Sequence, residues 1–178
     1  MTKPAGPAGE LRRLVLLRHA KAEHPERVED HERALALPGR KQASRLGAAM
    51  TAAGVAPDLV LCSSSLRTRQ TWELGSVGLD AQPRVELRDE VYSADGRSLL
   101  ELVRQVDDEV RTLLVVGHEP TMSFAAELLA GPGSDEAAYL RVQVGVPTAS
   151  WSVLEADAPF SQWQASAATL VALHTPSS

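Results

Sequence analysis

The chain has 178 residues, enough for one domain with a sizeable core and too few for two ordinary ones. A composition 44% hydrophobic and 23% charged excludes a disordered chain, and a formal net charge of -5 argues against nucleic-acid binding, which needs a basic footprint. Its single cysteine, Cys62, excludes an internal disulfide. MTKPAGPAGE has no apolar signal-peptide core, and no apolar run approaches the length of a membrane span. The expectation is therefore a cytoplasmic protein with no membrane partner.

Residues 1–10, rich in Pro, Gly and Ala, read as a flexible tail, and 11–173 as a single domain. LRRLVLL (11–17) predicts a first strand with Arg12 and Arg13 at its wet start and a continuous apolar run of the parallel-sheet kind. From Pro38, the spacing of Ala43, Leu46, Met50 and Ala53 predicts a helix ended by Gly54. DLVLC (58–62) predicts a second strand, and RTRQTWEL a helix capped by the serines before it. PRVELRDEV suggests a third strand, GRSLLELVRQVDD an amphipathic helix, and TLLVVG a fourth strand. HEPTMSFAAELLAG predicts a helix with Pro120 near its first turn, TASWSVLEAD a strand, and SQWQASAATLVAL a closing helix or helical edge. Alternating strands and helices give an α/β fold, a three-layer sandwich whose mainly parallel central sheet carries helices on both faces.

Ligands in such folds sit beyond the carboxyl ends of the strands. Three predicted strands end in chemistry: one in Arg18 and His19, one in the serines before Arg67, one in His118. Two arginines and two histidines around one small volume suit a phosphoryl group, because the guanidinium fork matches its oxygens and a neutral imidazole is a nucleophile. Taken singly, each residue is an ordinary strand-end or helix-surface residue. Their company at three strand ends reverses that weighing.

Arg18-His19 after LVLL, SSSLRTRQT (63–71) and VVGHEP (115–120) resemble the three signature segments of the histidine phosphatase superfamily, over about residues 13–155. DHERALALPGRKQA (30–43) further resembles a segment of its short branch, the SixA-type phosphohistidine phosphatases, through Arg33, Leu35, Gly39, Gln42 and Ala43. The resemblance implies a phosphoglycerate mutase-like fold and a phosphatase that becomes transiently phosphorylated on His19. Arg18 and Arg67 would clamp the phosphoryl oxygens, His118 would donate to them, and Arg33 would sit at the rim touching phosphate or substrate. The family's Arg-His-Gly reads Arg-His-Ala here, with Ala20 in third place.

Larger members supply a proton donor after the third strand. The local candidates are Asp89 and Glu90, with Glu90 preferred as the general acid. The SixA-type branch often lacks a donor there, and departing imidazole, whose conjugate acid has a pKa of about 6.5, needs one less than an alkoxide does. A phosphorylated protein is therefore the favoured partner. The alternatives are a small phosphomonoester, such as a sugar or nucleotide phosphate, and a non-catalytic phosphate-binding or protein-interaction module.

No metal or organic cofactor is expected, since the histidines lack ligand-like pairing and the pocket is already cationic. His24, His31 and His174 read as surface residues, and Trp72, Trp151 and Trp163 as packing residues. CSSSLR superficially resembles the loop of the cysteine phosphatases. However, four residues rather than five separate Cys62 from Arg67, and a thiol ending an apolar run is ordinarily inert.

Overall fold

The strands with unbroken apolar runs are those that need both faces covered, and the sheet shows why. The computed structural model describes residues 9–176. Of the expected tail, residues 1–8 lie outside the described residues, and Gly9 and Glu10 are exposed and irregular. Strands β1 (Arg12–Arg18), β2 (Leu59–Ser63), β3 (Arg84–Arg88), β4 (Thr112–Gly117), β5 (Trp151–Ala156) and β6 (Thr169–His174) form one sheet, ordered β3-β2-β4-β1-β5-β6. β4 pairs in parallel with β1 and β2, and β2 in parallel with β3, whereas β5 and β6 add antiparallel on the far side.

Alternate side chains of the central strands feed two cores, because successive Cβ atoms point to opposite faces. Leu14, Leu16, Leu59, Leu61, Leu113 and Val115 face one core; Val15, Leu17, Val60, Cys62, Leu114 and Val116 face the other. Helices α1 (Leu37–Ser44), α2 (Leu46–Ala52) and α3 (Leu66–Ser76) cover the second face. Helices α4 (Asp89–Ser93), α5 (Gly96–Arg104), α6 (Thr121–Leu129) and α7 (Glu136–Val144) cover the first. Each fully buried Leu or Val there stabilises the fold by roughly 1.5–3 kcal/mol.

Several local expectations need correction. The closing segment is not a helix. After a 3-10 turn at Phe160–Gln162 it becomes the edge strand β6, which buries Leu170 and Leu173 on either side of a register shift and leaves Val171 exposed. Backbone pairing with β5 overrides the helical propensity of its alanines and leucines. α7 was not predicted. Its signals are an Asp135 cap that accepts from the Ala138 amide and a Gly145 end at φ 124°, with a narrow buried stripe of Ala138 and Val142.

The helix expected from Pro38 breaks at Arg45 into α1 and α2, and DEV of the third predicted strand belongs to α4. Arg12, expected to be wet, is buried, with Nη1 and Nη2 donating to the carbonyls of Glu10 and Asp108. Ser65 stands at the N-cap of α3 without a side-chain bond to the helix backbone amides; its hydroxyl meets that of Thr68.

Candidate active site

Because β2, β4 and β1 are parallel neighbours, their carboxyl ends open on one edge of the sheet, and the residues that follow share one cavity. That cavity, of about 660 Å³, is lined by Arg18, His19, Arg67, His118 and Arg33, together with Lys21, Ala22, His24, Asp30, Glu119 and Thr148.

His19 leaves β1 with its amide on the Gly117 carbonyl of β4. Its Nδ1 lies 2.7 Å from the Ala20 carbonyl. A carbonyl only accepts, so Nδ1 carries the proton and Nε2 keeps the lone pair. The ring is 8% exposed, and its pKa is pushed down to about 4, chiefly by burial and further by Arg67, Arg18 and Arg33. His19 is thus a neutral imidazole with a defined tautomer. Ala20 is fully buried and donates its amide to Thr71 Oγ1, which itself donates to the Arg67 carbonyl, so the alanine methyl is accommodated and the loop is tied to α3.

Arg18 donates through Nη1 to the Val146 carbonyl at 2.9 Å, and its buried Nε has no partner among the described residues. Burial lowers its pKa, opposed by Glu119. Arg67, in the first turn of α3, is 5% exposed and holds the Asp30 carbonyl through Nη1 at 2.7 Å and the Asp30 carboxylate through Nη2 at 3.1 Å. His118 follows β4, with Nε2 and the Ser63 hydroxyl 2.7 Å apart. Its ring centroid lies 5.3 Å from that of His19. Burial, then His19 and Arg67, hold its pKa down to about 3, so this imidazole is also neutral at pH 7.

Arg33 reaches the cavity but is committed to its own loop, donating to the Asp30 carboxylate, the Glu23 carbonyl and His24 Nδ1. Glu90 does not join the group. It lies outside the cavity lining, fully exposed, and accepts from Arg88 at 3.2 Å. Asp89 accepts from the Ser64 hydroxyl. His24, expected to be a plain surface residue, is exposed but stands at the cavity mouth. Cys62 is fully buried, and burial pushes its thiol up to about 12, the state of an inert side chain.

Three residues of the site had no part in the expectations drawn from sequence. Asp30 accepts from Arg67, Arg33 and Tyr92, and these donors hold its carboxyl well below the usual carboxylate range. Tyr92 of α4 donates to it at 2.6 Å and presents its ring edge-on to both His118 and His31. Glu119 accepts from the Ser123 amide and hydroxyl and from the Val146 amide. The Asp30–Arg33 spacing of three residues within a helical turn was a readable signal. The reach of Tyr92 across the sheet edge was not.

A cluster of two neutral imidazoles and three guanidinium groups at the carboxyl ends of a parallel sheet defines a phosphoryl-handling α/β enzyme. Residues 14–111 match the family described as the histidine phosphatase superfamily (branch 1), and the chain belongs to that superfamily, a phosphatase by class. The uncharacterized protein Rv1276c of Mycobacterium tuberculosis is 39% identical over 161 residues, 90% of this chain and 99% of the relative. A structure from Nakamurella multipartitia, provisionally titled phosphohistidine phosphatase SixA, is 30% identical with a TM-score of 0.80, covering 99% of this chain and 100% of that one. Its Agrobacterium tumefaciens counterpart, provisionally titled likewise, is 27% identical with a TM-score of 0.77, covering 93% of this chain and 98% of that one.

Proposed function

We propose that the protein hydrolyses a phosphoryl group through a covalent phosphohistidine on His19, and that its substrate is a phosphohistidine on another protein, as in the SixA type. The observation that carries the substrate class is the placement and the partners of the carboxyls. Among the described residues lining the cavity, Asp30 and Glu119 are the carboxyls, each accepts from three donors, and Glu90 lies outside. A site whose carboxyl oxygens are already taken up as acceptors suits a leaving group that departs readily, and imidazole does so where an alkoxide does not.

In this reading His19 Nε2 forms a bond to phosphorus as the substrate's P–N bond breaks in line, and the departing imidazole takes its proton from water. Arg18, Arg67 and His118 hold the equatorial oxygens. Water then attacks phosphorus, the bond to His19 breaks, and inorganic phosphate leaves. The likeness to the Nakamurella multipartitia and Agrobacterium tumefaciens SixA-type structures supports this reading.

The test compares turnover of a phosphohistidine protein with a panel of phosphomonoesters, using wild type, Glu90→Gln and Glu119→Gln. Preferred turnover of phosphohistidine, unchanged in Glu90→Gln, is expected. Indifference to phosphohistidine sinks the substrate assignment. A loss in Glu119→Gln confined to monoesters would favour the second reading, a small-phosphomonoester phosphatase, for which the presence of Glu119 on the cavity wall speaks. Labelled phosphate should be trapped in wild type and absent from His19→Ala. A fold without trapping would mark a binding module instead.

A further inference from the structure

Asp30 is peripheral to the chemistry by charge, since a carboxylate repels a phosphoryl group, yet its contacts put it at the centre of the site's construction. Its carboxylate accepts from three separate elements: Arg67 Nη2 of α3 at 3.1 Å, Tyr92 Oη of α4 at 2.6 Å and Arg33 Nε of its own loop at 3.1 Å. Its backbone carbonyl takes Arg67 Nη1 at 2.7 Å. Both terminal nitrogens of Arg67 are therefore fixed by one residue, while Arg67 Nε, buried, has no partner. We propose that Asp30 is the positioning residue of the phosphoryl clamp: it locks the guanidinium plane of Arg67 so that the Nη protons it leaves free face the incoming oxygens.

Two opposing effects must be weighed. Removing a negative charge beside an anion site strengthens anion binding, but the Asp30 side chain is 54% exposed and its field is screened by water. The Arg67 side chain is 6% exposed, and a long buried cation that loses the carboxylate on Nη2, keeping only the backbone carbonyl on Nη1, regains rotation and loses its aim. Orientation therefore outweighs charge here. Tyr92 belongs to the same device. Its hydroxyl fixes Asp30 while its ring stands edge-on to His118, with centroids 5.5 Å apart, so the second arginine and the second histidine are registered against each other through one side chain.

This inference rests on the reading of the cavity as a phosphoryl site, and the experiment separates the two. Inorganic tungstate, a tetrahedral oxyanion, is titrated calorimetrically into wild type, Asp30→Ala, Asp30→Asn and Tyr92→Phe, alongside kcat and KM on one substrate and thermal midpoints. Asp30→Ala should weaken tungstate binding by about 10-fold or more and lower kcat/KM by about 100-fold, with kcat falling as well as KM rising, the mark of a misplaced transition-state contact. Asp30→Asn, which keeps an accepting oxygen, should recover part of both losses. Tyr92→Phe should shift both in the same direction by a few-fold, and it supplies the answer should Asp30→Ala not fold.

Unchanged tungstate affinity in the folded variants, with only a lowered thermal midpoint, would make Asp30 a structural tie and overturn the inference. So would tighter binding, which would make the carboxylate a competitor for Arg67. Failure of wild type to bind tungstate would instead sink the phosphoryl-site reading and this inference with it.

Discussion

At the scale of single residues, the site is governed by where protons sit. The Ala20 carbonyl fixes the proton of His19 on Nδ1, and burial among arginines keeps both His19 and His118 neutral at pH 7. An NMR titration of the histidine ring protons should therefore place the midpoints of His19 and His118 well below the usual 6.5, near 4 and 3, while the fold persists. A midpoint near 6.5 for His19 would contradict a buried neutral imidazole at this position. Arg67→Lys should keep the positive charge but lose the planar fork and both bonds to Asp30, lowering kcat/KM by about 100-fold or more. A near-silent Arg67→Lys would mean that charge alone, without geometry, does the work of the clamp.

At the scale of elements, the site depends on how closely α1 approaches the loop leaving β1. A Cβ added at buried Gly39 would lie 1.9 Å from the Lys21 carbonyl oxygen and within 3 Å of that residue's backbone carbon and nitrogen. Backbone cannot yield as a flexible side chain can. Gly39→Ala should therefore cost about 1–3 kcal/mol in a urea titration and, by displacing the segment that follows His19, lower turnover as well. Gln42, one turn along α1, reinforces the same contact by accepting from the Lys21 amide. A variant of wild-type stability and activity would show that α1 is free to slide. The Gly-x-x-Gln-Ala pattern at the start of α1 thus has a local physical reason: a glycine for approach and a glutamine to hold the backbone it approaches.

For the whole molecule, the neutral histidines couple function to acid stability. Both have folded pKa values below their unfolded value, so between about pH 6.5 and 4 the unfolded chain binds protons that the folded chain refuses. Stability should therefore be full above about pH 6.5, fall as the pH drops through that window, and level off with respect to His19 below about 4. Urea midpoints measured from pH 7.5 to 4 should show this slope, and a His19→Gln, His118→Gln double variant should flatten it. A slope unchanged in the double variant would place the acid sensitivity elsewhere, for example at His174, whose pKa burial also lowers.

The amino-acid sequence by itself determined the central strands, because parallel strands covered on both faces must be apolar at every position, and LVLL, LVLC and TLLVV are that pattern. It also determined Arg18, His19, Arg67 and His118 as a set, since each follows such a strand and polar residues there must be facing a ligand or water. It did not determine β6, whose alanines and leucines favour a helix until an edge of the sheet offers hydrogen bonds. Nor did it place the carboxyls. Glu90 turned away to Arg88, while Asp30 and Glu119 were brought to the cavity from separate segments and Tyr92 was brought onto Asp30. Apart from the local Asp30–Arg33 spacing, those placements are matters of long-range contact, decided by which side chains the packed helices carry to the sheet's carboxyl edge.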